Sequence, residues 1–150
     1  MSFLPDDFER IADEIRRNIK VRALVQAKAR TIVSRMYYSC FLNAREKLLA
    51  LVPPEYKEIL VKGSYKGNQV NVHFLVRETF KCSKDTSHQI IGEDLEVLRK
   101  RRNKADYDLS AIIDYPDLEY LRAKQLNQRI KRLTNTNELV KAFKQVINSL

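Results

Sequence analysis

The chain has 150 residues, of which 44 % are hydrophobic and 31 % charged; this suits one ordered domain with a buried core, and no stretch approaches the roughly 20 apolar residues of a membrane span. Three glycines and four prolines are too few for an all-β fold rich in turns, so the expectation is an all-α domain covering residues 1–150. Lysine and arginine number 28 against 19 acids, a formal charge of +9, which favours an acidic partner such as nucleic acid, while the lack of an apolar span leads to the expectation of no membrane partner.

The opening segment, MSFLPDDFER, lacks the basic-then-apolar layout of a secretory signal, and Cys40 and Cys82 are isolated thiols. Together they lead to the expectation of a reducing, cytoplasmic setting. Two cysteines and two histidines at these spacings form no familiar metal set, so neither metal nor cofactor is expected. Pro5-Asp6-Asp7 opens a first helix, with Asp6 as its cap and Glu9 placed to reach back. Its apolar face is Phe8, Ile11, Ala12, Ile15 and Ile19. A second, long helix is expected from about Ala29 to Val52, with Val33, Met36, Tyr37, Cys40, Phe41, Ala44, Leu48 and Leu51 facing inward, and Pro53-Pro54 stops it.

Pro54 to Gly67 reads as a short helical turn or loop. Asn68 to Cys82 contains VNVHFLV, which could pass for a strand. Val72, Val76 and Phe80 recur every four residues, however, and the segment is assigned to a helix. After a loop at Ser83–Ser87, a helix runs from about Gln89 to Asp106, with His88 as a solvent-facing residue near its start. Tyr115-Pro116-Asp117 begins another, whose apolar side includes Leu118, Leu121, Ile130 and Leu133. Thr134 to Asn137 breaks it, and a final helix carries Leu139, Val140, Phe143, Val146, Ile147 and Leu150. The architecture these spacings predict is an all-α helical bundle.

Within LEVLRKRRNKADYDL, Leu95 to Leu109, an arginine stands where a leucine is expected. Ile91, Leu95, Leu98, Arg102, Ala105 and Leu109 follow one helix face, so Arg102 points along the apolar seam. A guanidinium there needs a partner or a water-lined cleft. Asp106 lies one turn on, and Asn103 and Tyr107 form a second such pair. The cluster is either a structural ion pair or a site. Around it runs RKRRNK, five cations in six residues: Arg99, Lys100, Arg101, Arg102 and Lys104. Ile15 to Arg35 carries seven further cations and no acid, ending at Arg35. Such runs are either solvated helix faces or parts of one electrostatic footprint for RNA.

Two segments together carry a resemblance. SRMYYSCFLNAREKLL, Ser34 to Leu49, is similar to the second-helix signature of HEPN domains, Ser-Arg-x-Tyr-Tyr-x-x-Phe followed by Ala-Arg. LRKRRNKADYDL resembles the later-helix signature of the HEPN subfamily carrying Arg-Asn-x-Ala-Asp-Tyr. Their order, their separation of about sixty residues and the helical context agree. The resemblance covers nearly the whole chain. It implies an antiparallel four- to five-helix bundle with additional short helices that usually dimerises, with the later-helix motifs of two subunits facing a shared cleft. HEPN proteins are commonly metal-independent endoribonucleases of toxin–antitoxin, CRISPR-linked and phage-defence systems, while others bind RNA, nucleotides or partner proteins.

Active members use an arginine, a polar residue directly after it and a histidine four to six residues later. Arg102 and Asn103 match the first two, and Tyr107 stands where the histidine would be. Attack by a ribose 2′-hydroxyl needs a base, an acid and positive charge on the phosphate. Arg102 supplies the charge, Asn103 orients the phosphate or hydroxyl, and Asp106 is a candidate base. A phenol such as Tyr107 is suited to donating a proton rather than taking one. His73 is a candidate replacement for the missing histidine, with an ordinary structural role as the alternative. Tyr37 and Tyr38 read as packing residues, one inside and one at a rim, within reach of the Arg102 cluster, and Arg35 as a phosphate clamp or a plain surface residue. Three functions stay open: a HEPN ribonuclease, a non-catalytic module binding RNA or nucleotide, and a regulatory subunit paired with an antitoxin, a nucleotidyltransferase or a larger defence complex.

Overall fold

The computed structural model describes residues 4–150. These residues form seven α-helices and one two-stranded hairpin: α1 Pro5–Asn18, α2 Val25–Leu51, α3 Pro54–Lys62, β1 Ser64–Tyr65, β2 Asn68–Gln69, α4 Val72–Cys82, α5 Thr86–Tyr107, α6 Pro116–Lys131 and α7 Thr136–Asn148, with a short 3-10 turn at Arg22–Leu24 ahead of α2. No helix among them is long and apolar enough to cross a membrane.

The 27-residue α2 is the axis of the fold. It packs against α1, α5 and α6, while α4 packs against α5 and α7. Its buried residues include Val33, Met36, Tyr37, Cys40, Phe41, Ala44 and Leu48, the face expected from their spacing. They join Leu75, Val76 and Phe80 of α4, Ile91 and Leu95 of α5, Leu126 and Ile130 of α6 and Phe143 of α7 in one continuous apolar cluster. Burial of this kind supplies most of the helices' stability, since isolated helices of such lengths are marginal.

The helix starts depart from the sequence reading in instructive ways. Leu4, not Asp6, is the N-cap of α1, because proline takes the first helical position and fixes its φ there. The carboxylate that reaches back is then Asp7, which accepts from Leu4 N at 2.9 Å; Glu9 is a further half-turn along. Asp6 is left to accept from Lys131 Nζ at 2.7 Å and Asn43 Nδ2 at 3.1 Å. The segment Pro54 to Gly67 holds the complete helix α3, closed by Gly63 in the left-handed conformation with φ 67°. Lys66 and Gly67, both at positive φ, turn β1 back onto β2. Asn68 and Gln69 therefore pair with Tyr65 and Ser64 as strand and not as helix. Asn71 then caps α4, accepting from Phe74 N at 3.1 Å.

Two further expectations are corrected. His88 is 0 % exposed. Its Nε2 faces the Thr134 carbonyl at 2.7 Å and its Nδ1 the Ser83 hydroxyl at 2.7 Å; the carbonyl can only accept, so Nε2 donates and Nδ1 accepts from Ser83. On α6, Leu118 and Leu121 are exposed, and Tyr120, Ala123, Leu126, Asn127 and Ile130 are buried. The phase is displaced because two polar residues, Glu119 and Asn127, occupy the inner face: Asn127 donates to Ser39 Oγ at 2.8 Å, and Glu119 pairs with Arg101 at 2.5 Å. Leu109 lies beyond the end of α5 and is 92 % exposed, so it does not continue the Arg102 face.

The contact between α4 and α5 is unusually close at Gly92. A Cβ there would stand 2.7 Å from Lys81 N and 3.0 Å from the Arg77 carbonyl. This places the two helices' backbones nearly against each other, just below the end that carries the charged residues.

Candidate functional site

Arg102 leaves the inner face of α5 one turn before the helix ends, with only 14 % of its side chain exposed. Its Nη2 donates to the Tyr38 hydroxyl at 2.5 Å and its Nη1 to Asn103 Oδ1 at 3.1 Å. Nε lies 3.0 Å from Asp106 Oδ2. That contact is close enough for the charges but poorly aligned, so the buried Nε–H has no hydrogen-bond acceptor. Three aromatic rings surround the guanidinium carbon, Tyr38 at 5.0 Å, Tyr107 at 5.6 Å and Tyr37 at 5.8 Å. Cation–π attraction and a charged hydrogen bond hold the group against the tyrosines, and Asp106 is its counter-ion.

Asp106 is held once more, by Ser34 Oγ at 3.3 Å. Both contacts fall on Oδ2, which leaves Oδ1 open. Asn103 uses its carbonyl oxygen on Arg102, so its amide N–H groups face outward. Tyr107 is 72 % exposed. The four residues expected around the site are thus gathered about one guanidinium. Beside them lies an open cleft of about 490 Å³ lined by Arg30, Ser34, Arg35, Asp106 and Tyr107. Arg35 is at its rim, with its guanidinium carbon 5.6 Å from the Phe8 ring.

His73 is brought to the same place. Its Nδ1 is 2.5 Å from the Tyr37 hydroxyl, and its ring stacks on Phe41 with centroids 3.9 Å apart. The Tyr38 ring, whose hydroxyl holds Arg102, lies edge-on at 6.4 Å. Burial, followed by the charges of Arg99, Arg102, Arg77 and Arg45, pushes the imidazole down to about 4, so it is neutral at pH 7. Burial likewise pushes the Tyr37 hydroxyl up to about 12, so it keeps its proton. Tyr37 therefore donates to Nδ1, and the ring hydrogen of His73 sits on Nε2. Tyr37 is inside the core and Tyr38 at its rim, as their positions on α2 predict.

The run RKRRNK does not act as one patch. At about 100° per residue, Arg99, Arg102, Asn103 and Asp106 share one side of α5. Lys100, Arg101 and Lys104 share the other, where they line a separate groove with Val97, Ile112 and Tyr115. Arg101 is committed to Glu119, and Lys100 lies 3.8 Å from Glu96. Arg30 is also spoken for. Its guanidinium donates to the carbonyls of Ala105 and Asp108 at 2.9 Å each and to that of Ala111, closing the C-terminus of α5 and fixing the loop beyond it.

Arg45 and Arg77 were not singled out from sequence. Arg45 lies one turn beyond Phe41 on α2, and Arg77 one turn beyond His73 on α4. Spacing on each helix could suggest a shared side, but only the packing of α4 on α2 brings the charges of both to bear on His73. Among the described residues no group of three or more His, Cys, Asp or Glu side chains could hold a metal ion. Comparison with family models, with curated proteins and with solved structures finds no match.

Proposed function

We propose that this chain is an RNA-directed protein of the HEPN type and acts as a metal-independent endoribonuclease. One observation carries the reading: a largely buried guanidinium, Arg102, ion-paired through Nε to Asp106, is ringed by an amide donor, the second oxygen of that carboxylate and an exposed phenol. In this reading Arg102 and the Asn103 amide receive the non-bridging oxygens of a phosphodiester. Asp106 Oδ1 takes the proton of the ribose 2′-hydroxyl as its oxygen attacks phosphorus. The bond from phosphorus to the 5′-oxygen breaks, and Tyr107 passes its proton to that leaving oxygen. The products are a 2′,3′-cyclic phosphate and a 5′-hydroxyl end, and the two side chains regain their starting protonation through solvent. Exposed apolar side chains at Leu109, Ile112 and Tyr115, in the segment that follows α5, support a homodimer in which two such sites share one RNA channel.

The test is cleavage of total cellular RNA by purified protein in EDTA, wild type beside Arg102→Gln. Cleavage by wild type alone, leaving cyclic-phosphate ends, supports the assignment. Equal traces from both, or no cleavage, overturn it. A second reading has its own support: the two contacts to Asp106 Oδ2 hold that carboxylate as a brace for Arg102, which suits an RNA-binding module that does no chemistry. Retained RNA binding without cleavage selects that reading.

A further inference from the structure

We propose that Arg45, Arg77 and Arg99, converging on His73 from three different helices, form a second anion subsite that takes one phosphate group, distinct from the groups that receive the phosphodiester at Arg102. It deepens the RNA-directed reading, and its test is separable from it.

The geometry starts from the aromatic stack. His73 lies flat on Phe41, and Tyr37 fixes its Nδ1, so Nε2–H is directed away from the Tyr37 bond. Arg45 follows Phe41 by one turn on α2, Arg77 follows His73 by one turn on α4, and Arg99 precedes Arg102 by almost one turn on α5. The charges of all three reach the imidazole. Each also carries a buried N–H with no acceptor: Nε of Arg45, Nη1 of Arg77 and Nε of Arg99. Among the described residues, neither Arg77 nor Arg99 has a carboxylate within ion-pair distance. Arg45 has Glu46 at 3.6 Å, itself more than half exposed.

Like charges placed together, partly withdrawn from water and short of acceptors, are unfavourable unless something with several oxygens and negative charge joins them. Elsewhere in this chain the equivalent problem is solved by protein groups: Arg30 has backbone carbonyls and Arg101 has Glu119. Around His73 the charged groups named are all cations, and the tyrosine hydroxyls beside it are already engaged, Tyr37 with His73 Nδ1 and Tyr38 with Arg102. Arginine forks and an imidazole N–H match a phosphate better than a carboxylate, which has only two oxygens to share among four donors. The occupant is therefore a phosphate group, either the neighbouring phosphate of the RNA strand held at Arg102 or the terminal phosphate of a nucleotide.

The imidazole is the reporter. In wild-type protein, with His73→Gln identifying its signal among the two histidines, the titration midpoint of His73 is followed by NMR. It is measured at constant ionic strength with chloride, inorganic phosphate, pyrophosphate, a nucleoside triphosphate or a hydroxyl-ended RNA oligonucleotide. A phosphate against the ring raises the midpoint by ~1 unit or more. The shift disappears in Arg77→Gln/Arg99→Gln, which removes two charges and keeps the amide bulk. A shift with RNA assigns the strand's own phosphate; a shift with the triphosphate alone assigns a nucleotide. No shift with any phosphate compound overturns the subsite, as does a shift unchanged in the double variant. Arg102→Gln separates the two claims, since the subsite predicts that inorganic phosphate still moves His73 in that protein whether or not RNA cleavage is lost.

Discussion

The Tyr38 hydroxyl accepts from Arg102 Nη2 at 2.5 Å, and this single bond joins the middle of α2 to the charged end of α5. It gives the guanidinium an oxygen partner that carries no charge. The positive charge is thereby fixed in position from two sides, by this hydroxyl and by the Asp106 carboxylate 3.0 Å from Nε.

Tyr38→Phe keeps the ring beneath the guanidinium and removes only the acceptor. Loss of a hydrogen bond to a charged group that is 14 % exposed lowers stability by about 1.5–3 kcal/mol, read as a lower urea midpoint with an unchanged slope. RNA binding weakens with it, because the guanidinium is no longer held in one orientation. Equal stability for the variant and the parent would remove Tyr38 from the site.

The His73 imidazole sets a pH dependence with a definite sign. Its folded value of about 4 lies below the ~6.5 of an unfolded histidine. Between those values the unfolded chain binds the extra proton, so stability is present at neutral pH and is lost as pH falls from about 6.5 toward 4. The difference amounts to roughly 3 kcal/mol at most. Urea unfolding at pH 7 and pH 5, in wild type and His73→Gln, should show the smaller acid loss in the variant.

Arg30→Met should free the loop that follows α5 while leaving the helices intact. The guanidinium bridges the carbonyls of Ala105, Asp108 and Ala111, and among the described residues the only other long-range hydrogen bonds in this stretch are the pair between Gln26 and Ile113 at 3.0 and 3.2 Å. Hydrogen exchange over residues 108–114 rises sharply in the variant, and limited proteolysis cuts there first. Uniform exchange across the chain would instead mean that Arg30 supports the whole fold.

The two faces of RKRRNK should separate in RNA titrations. Replacing Arg102 or Arg99 by Gln reduces the slope of log affinity against log salt by roughly 0.7 per lost phosphate contact on single-stranded RNA. Lys100→Gln and Lys104→Gln, on the other side of α5, leave that slope nearly unchanged. Equal effects at all four positions would point to a diffuse footprint.

Arg101 and Glu119 form an asymmetric pair, the carboxylate 8 % and the arginine 43 % exposed. Arg101→Met strands a buried carboxylate whose other oxygen already has no partner, whereas Glu119→Gln returns the arginine to water. The first should lower the thermal midpoint by several degrees, the second by much less.

What could be read from sequence follows the range over which each feature is determined. Val33, Tyr37, Cys40, Phe41, Ala44 and Leu48 declare their helix and its face through local spacing, and Arg102 with Asp106 is a one-turn relation that any helix enforces. Local spacing misassigns the α6 face because Glu119 and Asn127 are buried by partners on α5 and α2, far away along the chain. It misses the burial of His88 for a similar reason, since Ser83 and Thr134 together satisfy its ring. The division of the basic run was within reach of helix geometry alone. The meeting of Arg45, Arg77 and Arg99 was not, because it depends on how α4 settles against α2 and α5.

That settling is governed by a position with no side chain. Gly92 lets α4 and α5 approach until the Arg77 carbonyl and the Lys81 amide crowd the space a methyl would need. Arg77 and His73 belong to one of these helices, Arg99 and Arg102 to the other. Gly92 is thus the gauge block between two jaws: a single added carbon resets their spacing, and with it the gap between Arg77 and Arg99 in the proposed subsite, while the residues on both helices stay the same.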